Sequence, residues 1–205
     1  LVEGPDDEHS VFHLAKRHHY DWERVDRPVP YILNVGGIEK LLPSIPILAK
    51  TVQRLGIVVD ADVAVADRWA AVRDRLREAR IIDVPVAPVP MGWVMDVSGA
   101  LPLERVGVWV MPDNRSVGIL EDFIATLVPE GDPSWPIAAH ATNEAIERGA
   151  PLAESQRKKG ELYAWLAWRE QPGRPFGQAI TSNVLTHDAP LARAFMGWFE
   201  RLFVD

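Results

Sequence analysis

A run of β-branched residues, Ile57-Val58-Val59, closing on Asp60-Ala61-Asp62, constrains the fold of this chain more than any other stretch. A short, unbroken apolar run is what a strand covered on both faces requires, and such strands belong to mostly parallel sheets flanked by helices. Two carboxylates follow at its C-terminal end. Residues i and i+2 of an extended chain point the same way, so Asp60 and Asp62 are predicted to face one point in space. Two anions that close repel each other and are costly to desolvate unless a cation lies between them. A hard divalent ion with oxygen ligands meets that need. The alternative is that one Asp caps the next helix and the other merely ends the strand.

The neighbouring segments alternate in the same way. Strand-like runs at 1–4, 30–35, 56–63, 93–97 and 106–111 are separated by helical periods at 5–19 and 64–80. Residues 38–52 read as one broken or two short helices, interrupted at Pro43 and Pro46. Residues 20–27 read as a connection. Strand alternating with helix predicts an α/β unit with right-handed crossovers. Past Asp113 the pattern turns helical, with periods at 120–128, 136–148, 152–168 and 190–203. The expected organisation is a sheet-containing core at 1–112 and a helical C-terminal extension at 113–205 packed on it.

The first strand-like run adds a second acid group. It ends in Glu3, followed by Gly4 and then Asp7. Ligands of doubly wound sheets gather at the C-terminal edge, where the loops of neighbouring strands meet. Glu3, Asp7, Asp60 and Asp62 would all lie there, a donor set suited to one or two Mg²⁺ or Mn²⁺ ions.

Composition narrows the classes. The chain has no cysteine, which removes disulfides, thiolate zinc sites and thiol nucleophiles and fits a cytoplasmic protein. No apolar run approaches the roughly 20 residues that span a bilayer, so no membrane partner is expected. A first residue of Leu1 rather than Met leaves room for residues upstream. The net charge of −7 argues against a broad basic surface for nucleic acid, though not against a local groove or metal ions that do the neutralising.

Val2-Glu3-Gly4-Pro5-Asp6-Asp7 resembles the first motif of Toprim domains, and Val58-Val59-Asp60-Ala61-Asp62 resembles their paired-aspartate motif. Gly36-Gly37 stands between the two, like the glycine turn those domains often carry. The stretches 108–114, 118–122 and 172–177 are similar to small standalone Toprim proteins allied to the OLD-type (overcoming lysogenization defect) nucleases. The resemblance implies a Rossmann-like, mostly parallel sheet flanked by helices over 1–112. It implies that Glu3 is a metal ligand or general base, Asp7 a second acid, and Asp60 and Asp62 the metal-binding pair. Glu121 resembles a further acid of that branch, and Lys158 or Lys159 a downstream lysine that could offset charge on phosphorus. The activity implied is that of a nuclease on DNA or RNA dependent on Mg²⁺ or Mn²⁺, with a role in phage defence suggested by the same kinship. OLD proteins also carry an ATPase domain, and no GxxxxGK[ST] loop occurs here, so an ATPase partner would be a separate subunit. Oligomerisation is left open. No Tyr stands in a context that suggests a topoisomerase.

Blander readings stand beside these. Glu121 lies next to the stripe Leu120-Phe123-Ile124-Leu127 rather than on it, as a solvated residue would. Arg157-Lys158-Lys159 could be a solvated basic turn. His140, Glu144 and Glu147 share a helical face that is more commonly exposed than metal-binding. The tryptophans read as packing, and His18-His19 as the end of a helix. Two other functions compete. One is a non-catalytic Toprim subunit that regulates an ATPase. The other is a haloacid-dehalogenase-like phosphatase with Asp60 and Asp62 as nucleophile and acid, for which Val63-Ala64 lacks the expected hydroxyl and Glu3 has no task.

Overall fold

The computed structural model describes residues 1–20, 29–99 and 102–204. The connection expected at 20–27 lies outside the described residues from 21 onward. Three strands form the sheet: β1 (Arg54–Asp60), β2 (Trp93–Asp96) and β3 (Arg105–Met111), in the order β1-β3-β2. β1 and β3 pair in parallel, with Val58 opposite Trp109 and Asp60 opposite Met111. β2 runs antiparallel to β3. The chain is thus α/β, but in place of the mostly parallel sheet expected from the sequence stands a small mixed one.

The runs at 1–4 and 30–35, expected as the tail of a strand and a second strand, contribute one parallel bridge, Val2 to Asn34. They still extend the edge of β1: Val58 N–H donates to Leu1 O at 3.0 Å, and Val2 N–H to Leu33 O at 2.9 Å. Their brevity has a local cause. Pro30 has no N–H for a ladder, and Pro5 starts a helix directly after Gly4.

That helix, α1 (Pro5–Arg17), has Asp6, Asp7 and Glu8 in its first turn and Lys16 and Arg17 in its last, matching the helix dipole. α2 (Ile38–Leu48) runs through Pro43 and Pro46 as one helix, which corrects the expected break. Leu41, Ile45 and Ala49 are fully buried one turn apart and hold it, while Pro43 is exposed and Pro46 half-buried on the outer side. α3 (Val65–Glu78) follows β1. α4 (Leu120–Ala125) and α5 (Trp135–Glu147) follow β3, and then a 3-10 turn (Glu154–Gln156) leads into α6 (Arg157–Ala167). α6 therefore begins later than the expected position 152. α7 (Phe176–Thr181) was not foreseen, being too short to show a period. Gly177 seats it against α1, where a Cβ would stand 2.9 Å from His9 O and collide with the His13 ring. α8 (Pro190–Phe203) closes the order.

Alternate residues of β1 and β3 feed two separate cores, as strand geometry demands. Leu55, Ile57, Val59, Val106, Val108 and Val110 pack with Leu41 and Ile45 of α2 and Trp69, Val72 and Leu76 of α3. Val58, Trp109 and Met111 face the other way, toward α1, α4 and α6–α8, where Phe123, Trp165, Phe195, Trp198 and Leu202 are buried. The register also sets Gly56 opposite Gly107. A Cβ on either would come within 3.0 Å of the Leu202 side chain, so the pair forms a dent that α8 fills. Among the described residues no helix is long and apolar enough to cross a membrane.

Candidate functional site

β1 delivers Asp60 to the C-terminal edge of the sheet, and three other elements bring acids to it. Glu3 arrives from the short edge segment. Its backbone carbonyl accepts from the N–H groups of Gly36 and Gly37, at 2.9 and 2.8 Å, and its Oε1 accepts from Asp60 N–H at 2.9 Å. Both glycines have positive φ, +77° and +111°, a conformation that L side chains rarely adopt. Asp7 is buried in the first turn of α1, with Oδ2 accepting from Gly4 N–H at 3.0 Å. Asp60 Oδ1 accepts from Leu120 N–H at 2.8 Å, which ties the end of β1 to the first turn of α4. The next residue of that turn, Glu121, is 5% exposed, which replaces the solvated reading with a buried one.

Asp62 departs from expectation. The strand ends at Asp60, and Asp62 adopts a left-handed φ of +51°, bridging Gly118 through N–H···O bonds of 2.8 and 2.9 Å. The i, i+2 geometry of an extended chain therefore does not apply. Asp62 is exposed at the rim and ion-paired with Arg68 of α3. Asp tolerates this backbone better than most residues because its short polar side chain can bond locally.

The two candidate lysines go to different places. Lys159 reaches Glu121 at 2.9 Å and Asp6 at 3.2 Å, on the acid edge. Lys158 pairs with buried Glu161 and lies 5.6 Å from the centre of the Trp135 ring. On α5, His140 and Glu147 are exposed, and Glu144 pairs with Arg148.

Crowding shows in the protonation of the acids. Burial, reinforced by Asp7, Glu3, Glu121 and Asp62, pushes the Asp60 carboxyl up to about 8. Burial, with Glu3 and Glu121 against the Gly4 hydrogen bond, pushes Asp7 up to about 7. Glu3 is raised by burial despite the Asp60 N–H and the charge of Arg68. Lys159 moves the other way. Burial works against its charge, but the hydrogen bond and charge of Glu121, then those of Asp6, hold it above the ordinary lysine value.

Glu3, Asp7, Asp60 and Glu121 thus share one edge within electrostatic reach, with Asp62 at its rim. Among the described residues no group of three His, Asp or Glu side chains is placed so that it could hold a metal ion as it stands. Glu3, Asp7 and Asp60 each turn one oxygen to a backbone N–H instead. Sequence reasoning missed Asp6 and Arg68. The signal for Arg68 was its place one turn into the helix that follows Asp62, because helical side chains lean back toward the N-terminus.

A family model described as a protein of unknown function (DUF3226) matches residues 1–204. No curated protein and no solved structure matches the chain.

Proposed function

The chain belongs to the DUF3226 family, and we propose that it is a metal-dependent phosphodiesterase of Toprim type, a nuclease acting on DNA or RNA. The observation that carries this reading is the burial of Asp7 and Glu121 beside half-buried Asp60 and Glu3 at one sheet edge. Carboxylates held together against their own repulsion call for a cation, and an all-oxygen donor set suits Mg²⁺ or Mn²⁺. Glu3, Asp7, Asp60 and Glu121 would hold it, with Asp62 contributing from the rim. Each of Glu3, Asp7 and Asp60 has a second carboxylate oxygen beyond the one that meets a backbone amide. Such an ion, when bound, supplies Lewis acidity and a water of lowered pKa.

The chain's own residues divide the remaining work. Glu3 is braced by three backbone amides, two on its carbonyl and one on its carboxylate, and acts as ligand or general base. Lys159 keeps a positive charge at the edge, where it offsets charge developing on a phosphoryl group. The Toprim reading is supported by the places of Glu3 and Asp60 at neighbouring chain ends and by the Gly36-Gly37 amides beneath Glu3.

The test is cleavage of single- and double-stranded DNA and RNA with Mg²⁺, Mn²⁺ or a chelator. Cleavage that requires metal and is lost in both Asp60→Asn and Glu3→Gln is expected. Metal binding without turnover on any substrate overturns the nuclease reading in favour of a regulatory subunit for a separate ATPase.

A further inference from the structure

Among the described residues of this edge, Arg68 is a cation that its acid partner satisfies only in part. Its side chain is 13% exposed, whereas that of its partner Asp62 is 48% exposed. One terminal nitrogen, Nη2, meets Asp62, and Nε is buried without a hydrogen-bond partner among the described residues. A guanidinium presents five N–H donors in one plane. Withdrawing it from water with donors unmade is costly, and a half-exposed carboxylate offsets little of that cost. Glu3 feels the charge of Arg68, but its Oε1 is already engaged by Asp60 N–H.

The surroundings of Arg68 favour an anion from outside. The side chain folds back over the first turn of α3 to reach Asp62. α3 is 14 residues long, and its N-cap, Ala64, has no side-chain oxygen with which to cap it. The first amide to bond within the helix is that of Arg68 itself, to Ala64 O at 3.1 Å. The amides before it have no partner within the helix, and they make that end of α3 the positive end of its dipole. Exposed Asp67 is the acid of that first turn.

We propose that Arg68 and the first turn of α3 form a phosphate subsite, in which the guanidinium exchanges Asp62 for two oxygens of a substrate phosphodiester. The planar fork matches a phosphate bidentately, which a lysine cannot do. Asp62 thereby has two states, tied to Arg68 when the subsite is empty and released toward the other acids when phosphate arrives. This subsite takes the identity of its occupant from the phosphodiesterase reading, but its binding chemistry is testable apart from it.

The experiment titrates inorganic phosphate into metal-free protein at low salt, followed by calorimetry. Arg68→Ala is expected to raise Kd by about tenfold or more, the effect of losing a charge-assisted pair of hydrogen bonds. Arg68→Lys should bind more weakly than wild type despite its charge. Asp62→Asn, which removes the competing carboxylate, should bind more tightly. Where Arg68→Ala does not fold, as melting curves will show, Arg68→Gln replaces it with the same expectation. Equal Kd in wild type and the Arg68 variants, or no binding by wild type, overturns the subsite. Nucleic-acid cleavage with Mn²⁺ separates the two claims. Cleavage with unchanged KM in Arg68→Ala removes the subsite alone. Arg68-dependent phosphate binding by a protein that cleaves nothing removes the phosphodiesterase reading alone.

Discussion

The faces of the sheet and its C-terminal edge bury opposite kinds of side chain. On the faces, Ile57, Val59, Val108 and Val110 on one side and Val58, Trp109 and Met111 on the other are enclosed by apolar helices. At the edge, one residue beyond Val59, the same strand delivers Asp60 among Glu3, Asp7 and Glu121. Apolar burial is favourable at roughly 25 cal/mol per Å², whereas crowded carboxylates lose solvation and repel. The faces therefore supply the stability that lets the edge exist in a state no isolated loop would adopt. An arrangement that opposes stability and yet is held by backbone amides on Glu3, Asp7 and Asp60 marks a place where function outweighs folding.

The largest effect is expected on the faces. Trp198 is buried in α8, and its Nε1 donates to Trp93 O at 3.0 Å. Trp198→Ala should destabilise by about 3–5 kcal/mol, measured by urea denaturation. A smaller loss would mean that α8 contributes little to the closed core. Gly107→Ala comes next, at about 1–3 kcal/mol, because its Cβ would meet Leu202 and Trp198 at 3.0 Å and Trp93 O at 3.1 Å.

The edge should respond with the opposite sign. Asp60→Asn keeps an oxygen for Leu120 N–H but has no carboxyl that must be kept protonated or lodged as an anion, so in metal-free buffer it should raise stability by about 1 kcal/mol. Mg²⁺ or Mn²⁺ should then stabilise the wild type and not the variant, since binding to the native state shifts its stability by mass action. The pH dependence follows the same sign. Asp60 and Asp7 titrate near 8 and 7 in the folded chain, above their usual value, so the native state holds more protons than the unfolded one between about 4 and 8. Metal-free stability should fall as pH rises through that window, and Asp60→Asn should flatten the fall. A melting temperature that rises from pH 5 to pH 8 would break the contrast between face and edge.

The smallest change in turnover is expected at Lys158. Its partners are Glu161 and Trp135, away from the acids, whereas Lys159 meets Glu121 and Asp6. Lys159→Ala should cut cleavage sharply, and Lys158→Ala should leave it near wild type while lowering stability by about 1 kcal/mol through buried Glu161. Equal turnover in both variants would detach Lys159 from the chemistry.

The legible and illegible parts of the sequence divide along similar lines. β1, α1 and α8 could be read because each carries its own period or cap: the run Ile57-Val58-Val59, Pro5 with three acids, and the stripe from Ala192 to Leu202. Glu3 and Asp60 could be placed because they end segments that the sheet brings side by side, and Asp7 because it stands in the first turn of the helix that follows Glu3. Asp62 could not, since its left-handed turn depends on the distant Gly118. Nor could the burial of Glu121, which is paired with Lys159 of the later helix α6. The single α2 was hidden by Pro43 and Pro46, whose local preference yields to the packing of Leu41 and Ile45.

The glycine dent of Gly56 and Gly107 has a consequence for synthesis. Leu202, which fills it, leaves the ribosome long after both strands. At about 5–20 residues per second, β1 and β3 wait roughly 5 to 20 seconds with Trp109 and the dent uncovered. During that interval the nascent chain presents an apolar surface on one side while α2 and α3 can already cover the other. Chaperone capture of this protein should therefore fall on chains arrested between β3 and α8, and end once Leu202 has emerged.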